Sequence, residues 1–179
     1  MISSRQELIE AVSAYTSSFP EERQFTKRFL ELLNNDRCFH RDHLPGHITG
    51  SAFIVDESGT FTLLTHHAKL NRWLQPGGHA DGDEDVFRVA LKEAVEETGL
   101  DDFVILRPGI FDLDIHTIPG RNGFPEHQHY DVRILLQASR ENVYSVSEES
   151  HDLAWVAFSE VETLTQNHSM IRMVRKAGY

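Results

Sequence analysis

Residues Gly78 to Leu100 have the sequence GHADGDEDVFRVALKEAVEETGL, and this is the most informative stretch of the chain. Its second half has apolar residues at the spacing of a helix that packs on a core, namely Phe87, Ala90, Leu91, Ala94 and Val95. Asp81 or Asp83 is the predicted N-cap, because a short acidic side chain can accept hydrogen bonds from the first turn. Gly99, followed by Leu100, predicts the helix end. The stretch therefore predicts a loop followed by an amphipathic helix.

The polar face of this helix carries three glutamates within one turn. Glu93, Glu96 and Glu97 stand at positions i, i+3 and i+4, so their carboxylates project from the same side. Three anions so close together repel one another, and the arrangement makes sense if a hard divalent cation lies among them. Gly77 and Gly78, just upstream, let the backbone approach closely, so that a carbonyl oxygen can complete the coordination. The pattern predicts a site for Mg²⁺ or Mn²⁺.

The stretch resembles the box of the Nudix hydrolase family. That box consists of a glycine, five residues of any type, a glutamate, seven residues of any type, and then R-E-U-x-E-E-x-G-U, where U is a bulky aliphatic residue. The matching positions are Gly78, Glu84, Glu93, Glu96, Glu97, Gly99 and Leu100. Lys92 replaces the arginine and Ala94 is a small occupant of an aliphatic position. Lysine keeps the charge but lacks the planar guanidinium that binds two groups at once.

The resemblance implies an α/β (α+β) fold, with a mixed β-sheet sandwiched between α-helices. It also implies that water, assisted by bound metal ions, attacks a diphosphate linkage in a nucleoside diphosphate joined to another moiety. Glu96 and Glu97 are the implied metal ligands, and Gly78 belongs to the same set. Glu84 either joins the metal cluster or pairs with Lys92. Lys92 is implied as the residue that tethers the box glutamates.

The catalytic base is left open between two places in the chain. Glu93 is either a third metal ligand or the base that orients the water. In this family the base sometimes lies on a late loop instead, and Glu148 and Glu149 are then the candidates.

Apolar spacing outside the box predicts the remaining elements. Helices are expected over residues 5–15 and 21–34, and again over 169–176. Strands are expected at 48–55, 61–65, 73–78, 103–116, 129–138 and 155–158. The chain is therefore divided into a helical extension, residues 1–45, and a Nudix domain, residues 46–179. The extension either shapes specificity or forms the interface of a homodimer.

The segment from His127 to Arg133 is a predicted strand with a polar face. Alternation places His127, His129 and Arg133 on one face of this strand. We interpret the face as a wall of the substrate cleft, with Arg133 meeting a phosphate; the alternative is a solvent-facing side of a half-buried strand. His79, next to the box glycine, is a further candidate for substrate binding.

The composition limits the partners. The chain has 179 residues and a formal net charge of -11, which disfavours binding to nucleic acid. Its single cysteine, Cys38, excludes an internal disulfide and indicates a reducing compartment. No signal peptide or membrane span is legible, so a cytoplasmic enzyme acting on a small nucleotide or another diphosphate is expected.

Two rival functions share the expected fold. One is a non-catalytic Nudix domain that senses a ligand, against which the complete set of box glutamates counts. The other is an isopentenyl-diphosphate isomerase, which needs a catalytic cysteine, whereas Cys38 lies in the extension. Within the hydrolase reading, a nucleoside diphosphate sugar or a nucleoside triphosphate is the expected substrate.

Overall fold

Five helices and eight strands make up the part of the chain that the computed structural model describes, residues 2–121, 123–148 and 150–178. The helices are α1 (Arg5–Ala14), α2 (Pro20–Leu32), α3 (Val86–Thr98), α4 (Phe158–Leu164) and α5 (His168–Ala177). The strands are β1 (Gly46–Val55), β2 (Phe61–His67), β3 (Arg72–Leu74), β4 (Gly77–His79), β5 (Val104–Ile105), β6 (Asp112–Ile118), β7 (His127–Gln137) and β8 (Ser150–Ala157). The mixture confirms the expected α/β (α+β) class. Among the described helices, none is long and apolar enough to cross a lipid bilayer.

The sheet is built around β1 and β7, which run parallel. Their register extends from Gly46 opposite Gln128 to Val55 opposite Gln137. β1 also pairs antiparallel with β4 in its first half and with β2 at its end. β2 pairs further with β3 and β8, while β5 and β6 pair antiparallel with β7. A parallel central pair needs a long crossover connection, and α3 lies within it. The sheet is mixed, as the box resemblance implied.

Helices cover both faces of this sheet. Alternate residues of β1 point in opposite directions, so Ile48 and Ile54 pack with α1, α2 and α3, whereas Phe53 packs with α4 and α5. Burying each of these large apolar side chains stabilises the fold by about 1.5–3 kcal/mol. The two apolar clusters therefore fix α3 on one side of the sheet and the C-terminal helices on the other.

The first two helices belong to the same core as the sheet. Leu8, Phe29 and Leu33 are fully buried, and the Phe29 ring packs edge-on against Tyr130 of β7, with 5.2 Å between ring centroids. The extension of residues 1–45 thus shares one core with the following residues. The expected domain boundary after residue 45 stays a prediction.

The start of α3 differs from the sequence-based expectation. Asp85 is the N-cap, and its side chain accepts a hydrogen bond from the Arg88 N–H at 2.9 Å. Asp83 instead binds the Arg88 guanidinium, with 2.7 Å from Nε to Oδ2. Asp81 has a φ of 52° and Gly82 a φ of 91°, so the backbone turns there before the helix can begin. The expected end is confirmed: Gly99 is the C-cap, with a left-handed φ of 70°.

Two further elements depart from the expected pattern. The strand expected over 103–116 is two strands, β5 and β6, interrupted at Pro108-Gly109, where Gly109 has a φ of 94°. Phe158 begins α4 rather than ending a strand. A helix as short as α4 has too few turns for helical spacing to distinguish it from a strand end.

Candidate functional site

Two glycines that face each other across β1 and β4 bring α3 onto the sheet. Gly50 and Gly78 are paired in register. A Cβ atom on Gly50 would lie 3.0 Å from the carbonyl oxygen of Val86, and one on Gly78 would lie 2.5 Å from Cδ of Glu93. A side chain at residue 50 would thus press on the backbone of α3, and one at residue 78 would displace the carboxylate of Glu93. Sequence reasoning identified Gly78 but missed Gly50, whose signal was a glycine inside an apolar strand.

Two of the three box glutamates lie against the neighbouring glycines Gly77 and Gly78. Glu97 Oε1 accepts a hydrogen bond from the Gly77 N–H at 2.8 Å, and the carboxylate of Glu93 lies over Gly78. Glu96 is the most open of the set: its side chain is 56% exposed, against 18% for Glu93. The close approach of carboxylate oxygens to bare backbone fits a hard dication, which prefers oxygen ligands. Their assignment as metal ligands stays a prediction.

Lys92 contacts the same carboxylates. Its Nζ lies 3.2 Å from Glu96 Oε2 and 3.7 Å from Glu93 Oε1. The hydrogen bond to Glu96 raises the pKa of Lys92, so the lysine stays charged. Glu84 lies elsewhere, because its Oε2 accepts from the Arg5 N–H at 2.8 Å. Arg5 begins α1, where the N–H groups lack partners within the helix, and its N–H finds one in this carboxylate. The pairing of Glu84 with Lys92, one of two alternatives, is not formed.

Arg133 is enclosed by carboxylates instead of facing a cleft. Its side chain is 2% exposed, and its nitrogens lie 2.8 Å from Asp131, 3.2 Å from Asp112 and 3.2 Å from Asp114. Burial opposes the charge of Arg133, but the three carboxylates outweigh it and raise the pKa of Arg133. The expected contact with a substrate phosphate is corrected, since the guanidinium is buried and already neutralised.

The carboxylates around Arg133 extend into a buried ion network that joins β6 to the helices. Asp112 lies 2.7 Å from Arg172 and 3.0 Å from Lys176, both on α5. Lys176 also lies 2.8 Å from Glu22 on α2. Burial raises the pKa of Asp112, but the hydrogen bond from Arg172 and the positive charges around it lower that pKa below its usual value. The members are Glu22, Asp112, Asp114, Asp131, Arg133, Arg172 and Lys176.

Five histidines form a cluster at the end of the same sheet face. They are His47, His79, His116, His127 and His129, and neighbouring ring centroids lie 4.9 to 5.4 Å apart. Alternation along β7 correctly placed His127 and His129 together. Sequence reasoning missed His47 and His116, because they join the cluster only through the pairing of β7 with β1 and β6.

A pocket of about 260 Å³ opens beside this histidine cluster. Its lining residues are Arg41, His79, Ile118, Phe124, His127 and His129. Three histidines expected to bind substrate thus line one cavity, whereas Arg133 does not. Arg41 was missed, and it comes from the loop that precedes β1, where its guanidinium pairs with Asp81. No spacing signal connects that loop with β7.

Burial keeps the inner histidines neutral. It lowers the pKa of His47 to about 4 and the pKa of His129 to about 2, with the neighbouring histidines adding to the effect. The pKa of His79 is also lowered, chiefly by burial. At neutral pH these rings therefore act as hydrogen-bonding groups or metal ligands rather than as cations.

The variant His129→Gln is expected to weaken the pH dependence of stability between about pH 7 and about pH 5. In the wild-type fold His129 stays neutral, while the unfolded chain gains a proton below a pKa of 6.5, so stability falls as the pH falls. One such histidine contributes up to about 1.4 kcal/mol per pH unit. Chemical denaturation across this range measures the slope. The exposed control His168→Gln should keep the wild-type slope, and an unchanged slope in His129→Gln would contradict the expectation.

The late loop that offers an alternative base runs between β7 and β8. Glu148 is exposed there, and Glu149 lies outside the described residues. The Ser145 N–H donates to the Thr98 carbonyl at 2.8 Å, so this loop passes the C-terminal end of α3. The loop is thus anchored to the helix that carries the box glutamates.

Comparisons with known proteins agree with this geometry. The m7GpppN-mRNA hydrolase NUDT17 of Danio rerio is 30% identical over 100 residues, which cover 51% of this chain and 33% of that protein. The match thus spans about a third of that relative's length. A NUDIX family hydrolase from Clostridium perfringens superposes with a TM-score of 0.56 at 24% identity, over 73% of this chain and 95% of that one. The C. elegans Ap4A hydrolase superposes with a TM-score of 0.53 at 17% identity, over 72% and 93%.

At these identities the two solved structures establish the fold alone. The family is established by sequence, since the model described as NUDIX domain matches residues 46–177. The box, residues 78–100, lies within this match. The chain therefore belongs to the Nudix hydrolase family, whose general activity is the hydrolysis of diphosphate linkages (pyrophosphohydrolase activity).

Proposed function

We propose that this chain hydrolyses a diphosphate linkage in a nucleoside diphosphate joined to another moiety, with Mg²⁺ or Mn²⁺ bound at the box. The observation that carries the proposal is that two glutamates of the box lie directly against the backbone of two glycines. Glu97 accepts from the Gly77 N–H, and the carboxylate of Glu93 lies where a Cβ of residue 78 would be. Divalent metal ions are in general use in the family.

In this proposal each box residue has one task. Glu96, Glu97 and the Gly78 carbonyl bind the cation, and Glu84 remains a further candidate ligand. A bound dication would lower the pKa of an attacking water and neutralise charge on the leaving phosphate. Lys92 restrains Glu96, which its Nζ contacts at 3.2 Å.

Glu93 is the proposed base that orients the attacking water. It is less exposed than Glu96, and it lies between the Gly78 backbone and the Lys92 ammonium, which restrict its movement. A positioned carboxylate of this kind contributes about 10²–10⁴-fold to the rate. Glu149, with Glu148 beside it, is the alternative base, and the anchoring of its loop at Thr98 supports that alternative.

The pocket beside the histidine cluster is the proposed binding site for the part of the substrate outside the diphosphate linkage. Gly78 and His79 are neighbours on β4, so the box and the pocket lie on the two sides of one short strand. Phe124 is 39% exposed in the pocket and offers a ring on which a base can stack. His79, His127 and His129 line this pocket and are the proposed contacts to that part of the substrate.

The pocket and the overall charge support a proposal for the substrate class. The names of two relatives refer to m7GpppN-mRNA and to Ap4A, both of which contain nucleosides joined through phosphates. A net charge of -11 repels a polyanion, so we propose a small nucleotide rather than a nucleic acid. Nucleoside diphosphate sugars and nucleoside triphosphates are the first compounds to test.

A screen for nucleotide products, separated by chromatography, tests the function. Cleavage of the diphosphate linkage gives a nucleoside monophosphate and a second phosphorylated product rather than free phosphate. The full chain is incubated with a panel of nucleoside diphosphate sugars, dinucleoside polyphosphates and nucleoside triphosphates, with Mg²⁺, with Mn²⁺ and with a chelator. We expect turnover of at least one compound that the chelator abolishes and Mg²⁺ restores. Tight binding of a compound without turnover in either metal would instead identify a ligand-sensing protein.

A further inference from the structure

We propose that the histidine cluster is a second metal site, which binds a Zn²⁺-type transition-metal ion through His47, His127 and His129. The site is separate from the carboxylate box. It lies on the other face of the sheet. Gly50 of β1 packs against α3, and His47, three positions earlier on the same strand, is on the opposite face.

The geometry of the three rings supports this assignment. His47 is on β1 and the other two are on β7, and the parallel register sets His47 directly beside His129. One ring nitrogen from each residue lies within 4.8 Å of the others. A tetrahedral Zn²⁺ with bonds of about 2.0–2.1 Å needs ligand nitrogens about 3.4 Å apart. Small rotations of the three rings would bring the nitrogens from within 4.8 Å to that separation, while the paired strands stay in place.

Unused nitrogen atoms are the second observation. Nε2 of His47 and Nε2 of His129 are buried, and neither has a hydrogen-bond partner among the described residues. His47 is only 1% exposed. A buried polar atom without a partner is unfavourable, so a native fold normally supplies one. A metal ion between the rings would satisfy both atoms.

The opposite nitrogens are held as metal-binding histidines usually are. Nδ1 of His127 lies 3.0 Å from the Pro125 carbonyl, and Nδ1 of His47 lies 3.4 Å from the His43 carbonyl. A carbonyl at Nδ1 fixes the tautomer and leaves Nε2 free to bind a metal.

The ligand type selects the ion. Imidazoles suit Zn²⁺, Ni²⁺ and Cu²⁺, whereas Mg²⁺ prefers oxygen ligands such as the box glutamates. The nearby charge of Arg41 is offset by Asp81, with which it pairs. Three protein ligands leave one position for water or for an oxygen of a molecule in the pocket.

A zinc titration of the full chain tests the site. Metal-free protein is titrated with Zn²⁺ in the presence of millimolar Mg²⁺, which occupies the carboxylate box, and bound zinc is measured by equilibrium dialysis. We expect one Zn²⁺ per chain, with an affinity that falls at least about tenfold in each of His47→Gln, His127→Gln and His129→Gln. The exposed control His168→Gln should bind as the wild type does. A Co²⁺ titration should give an absorption spectrum typical of nitrogen ligands.

The outcomes separate this proposal from the hydrolase. No bound zinc in the wild type, or unchanged affinity in His127→Gln and His129→Gln, would overturn the second site. Zinc binding that is lost in Glu97→Gln instead would place the ion at the box and also overturn it. His127 lies on the pocket wall, so His127→Gln tests the site even if His47→Gln does not fold. Hydrolysis assayed with Mg²⁺ alone reports on the box independently.

Discussion

Glu97→Gln is expected to lower kcat for the diphosphate substrate by at least about 100-fold. Changing a residue that only supports a metal ligand costs up to about 100-fold, and Glu97 is itself a proposed ligand. The glutamine carbonyl can still accept the hydrogen bond from the Gly77 N–H, which is 2.8 Å from Glu97 Oε1 in the wild type. The negative charge that attracts a dication is lost. The variant should therefore fold normally, and the concentration of Mg²⁺ needed for half-maximal rate should rise.

Steady-state kinetics across a range of Mg²⁺ concentrations, with thermal unfolding beside them, measure this effect. Glu162→Gln is the matched control, because Glu162 is an exposed glutamate on α4, away from the box. The control should retain wild-type kcat. Undiminished turnover in Glu97→Gln would remove Glu97 from the proposed metal site.

Asp112→Ala is expected to lower the free energy of unfolding by about 3–5 kcal/mol, the loss typical of breaking a buried ion pair. Asp112 is fully buried and lies 3.2 Å from Arg133, 2.7 Å from Arg172 and 3.0 Å from Lys176. Removing it takes away the carboxylate that these three cations share and leaves them close together in a largely buried region. Since the pKa of Asp112 is lowered in the fold, the wild type should lose the same stabilisation only as the pH falls below the ordinary aspartate pKa of 3.8.

Urea denaturation at neutral pH measures the effect of Asp112→Ala. Asp42→Ala is the control, because Asp42 is 2.8 Å from Arg37 in an ion pair whose side chains are more than half exposed. Exposed pairs contribute about 0–1 kcal/mol, so the control should unfold almost as the wild type does. Equal losses in the two variants would mean that the buried network does not stabilise the fold.

Local patterns predicted much of the fold. The spacing around Phe87 and Ala90 identified α3, and Gly99 identified its end, because helical periodicity and a left-handed C-cap are encoded within a few residues. The N-cap was expected at Asp81 or Asp83 but is Asp85, since several acidic residues close together in the sequence offer equivalent caps. The tertiary structure decides among them. Asp81 has a φ of 52°, Asp83 binds the Arg88 guanidinium, and Asp85 caps the helix.

The candidate site divides in the same way. The grouping of Glu93, Glu96 and Glu97 needed only the pitch of one helix. The environment of Arg133 could be predicted only by knowing which strands pair with β7. Alternation along β7 places Arg133 on the same face as His129, but it does not show that Asp112 and Asp114 of β6 lie opposite. A polar strand face looks alike in sequence whether it meets solvent, substrate or buried charges.

The family, the helix of the box and the acidic residues on that helix could be identified from residues close together in the chain. Three other features became visible only in the folded chain: Arg133 is buried in an ion network, Glu84 binds the start of α1, and His47 joins His127 and His129. Each of these outcomes depends on strand register or on helix docking. Both arise from contacts between residues distant in the chain, which no local spacing records.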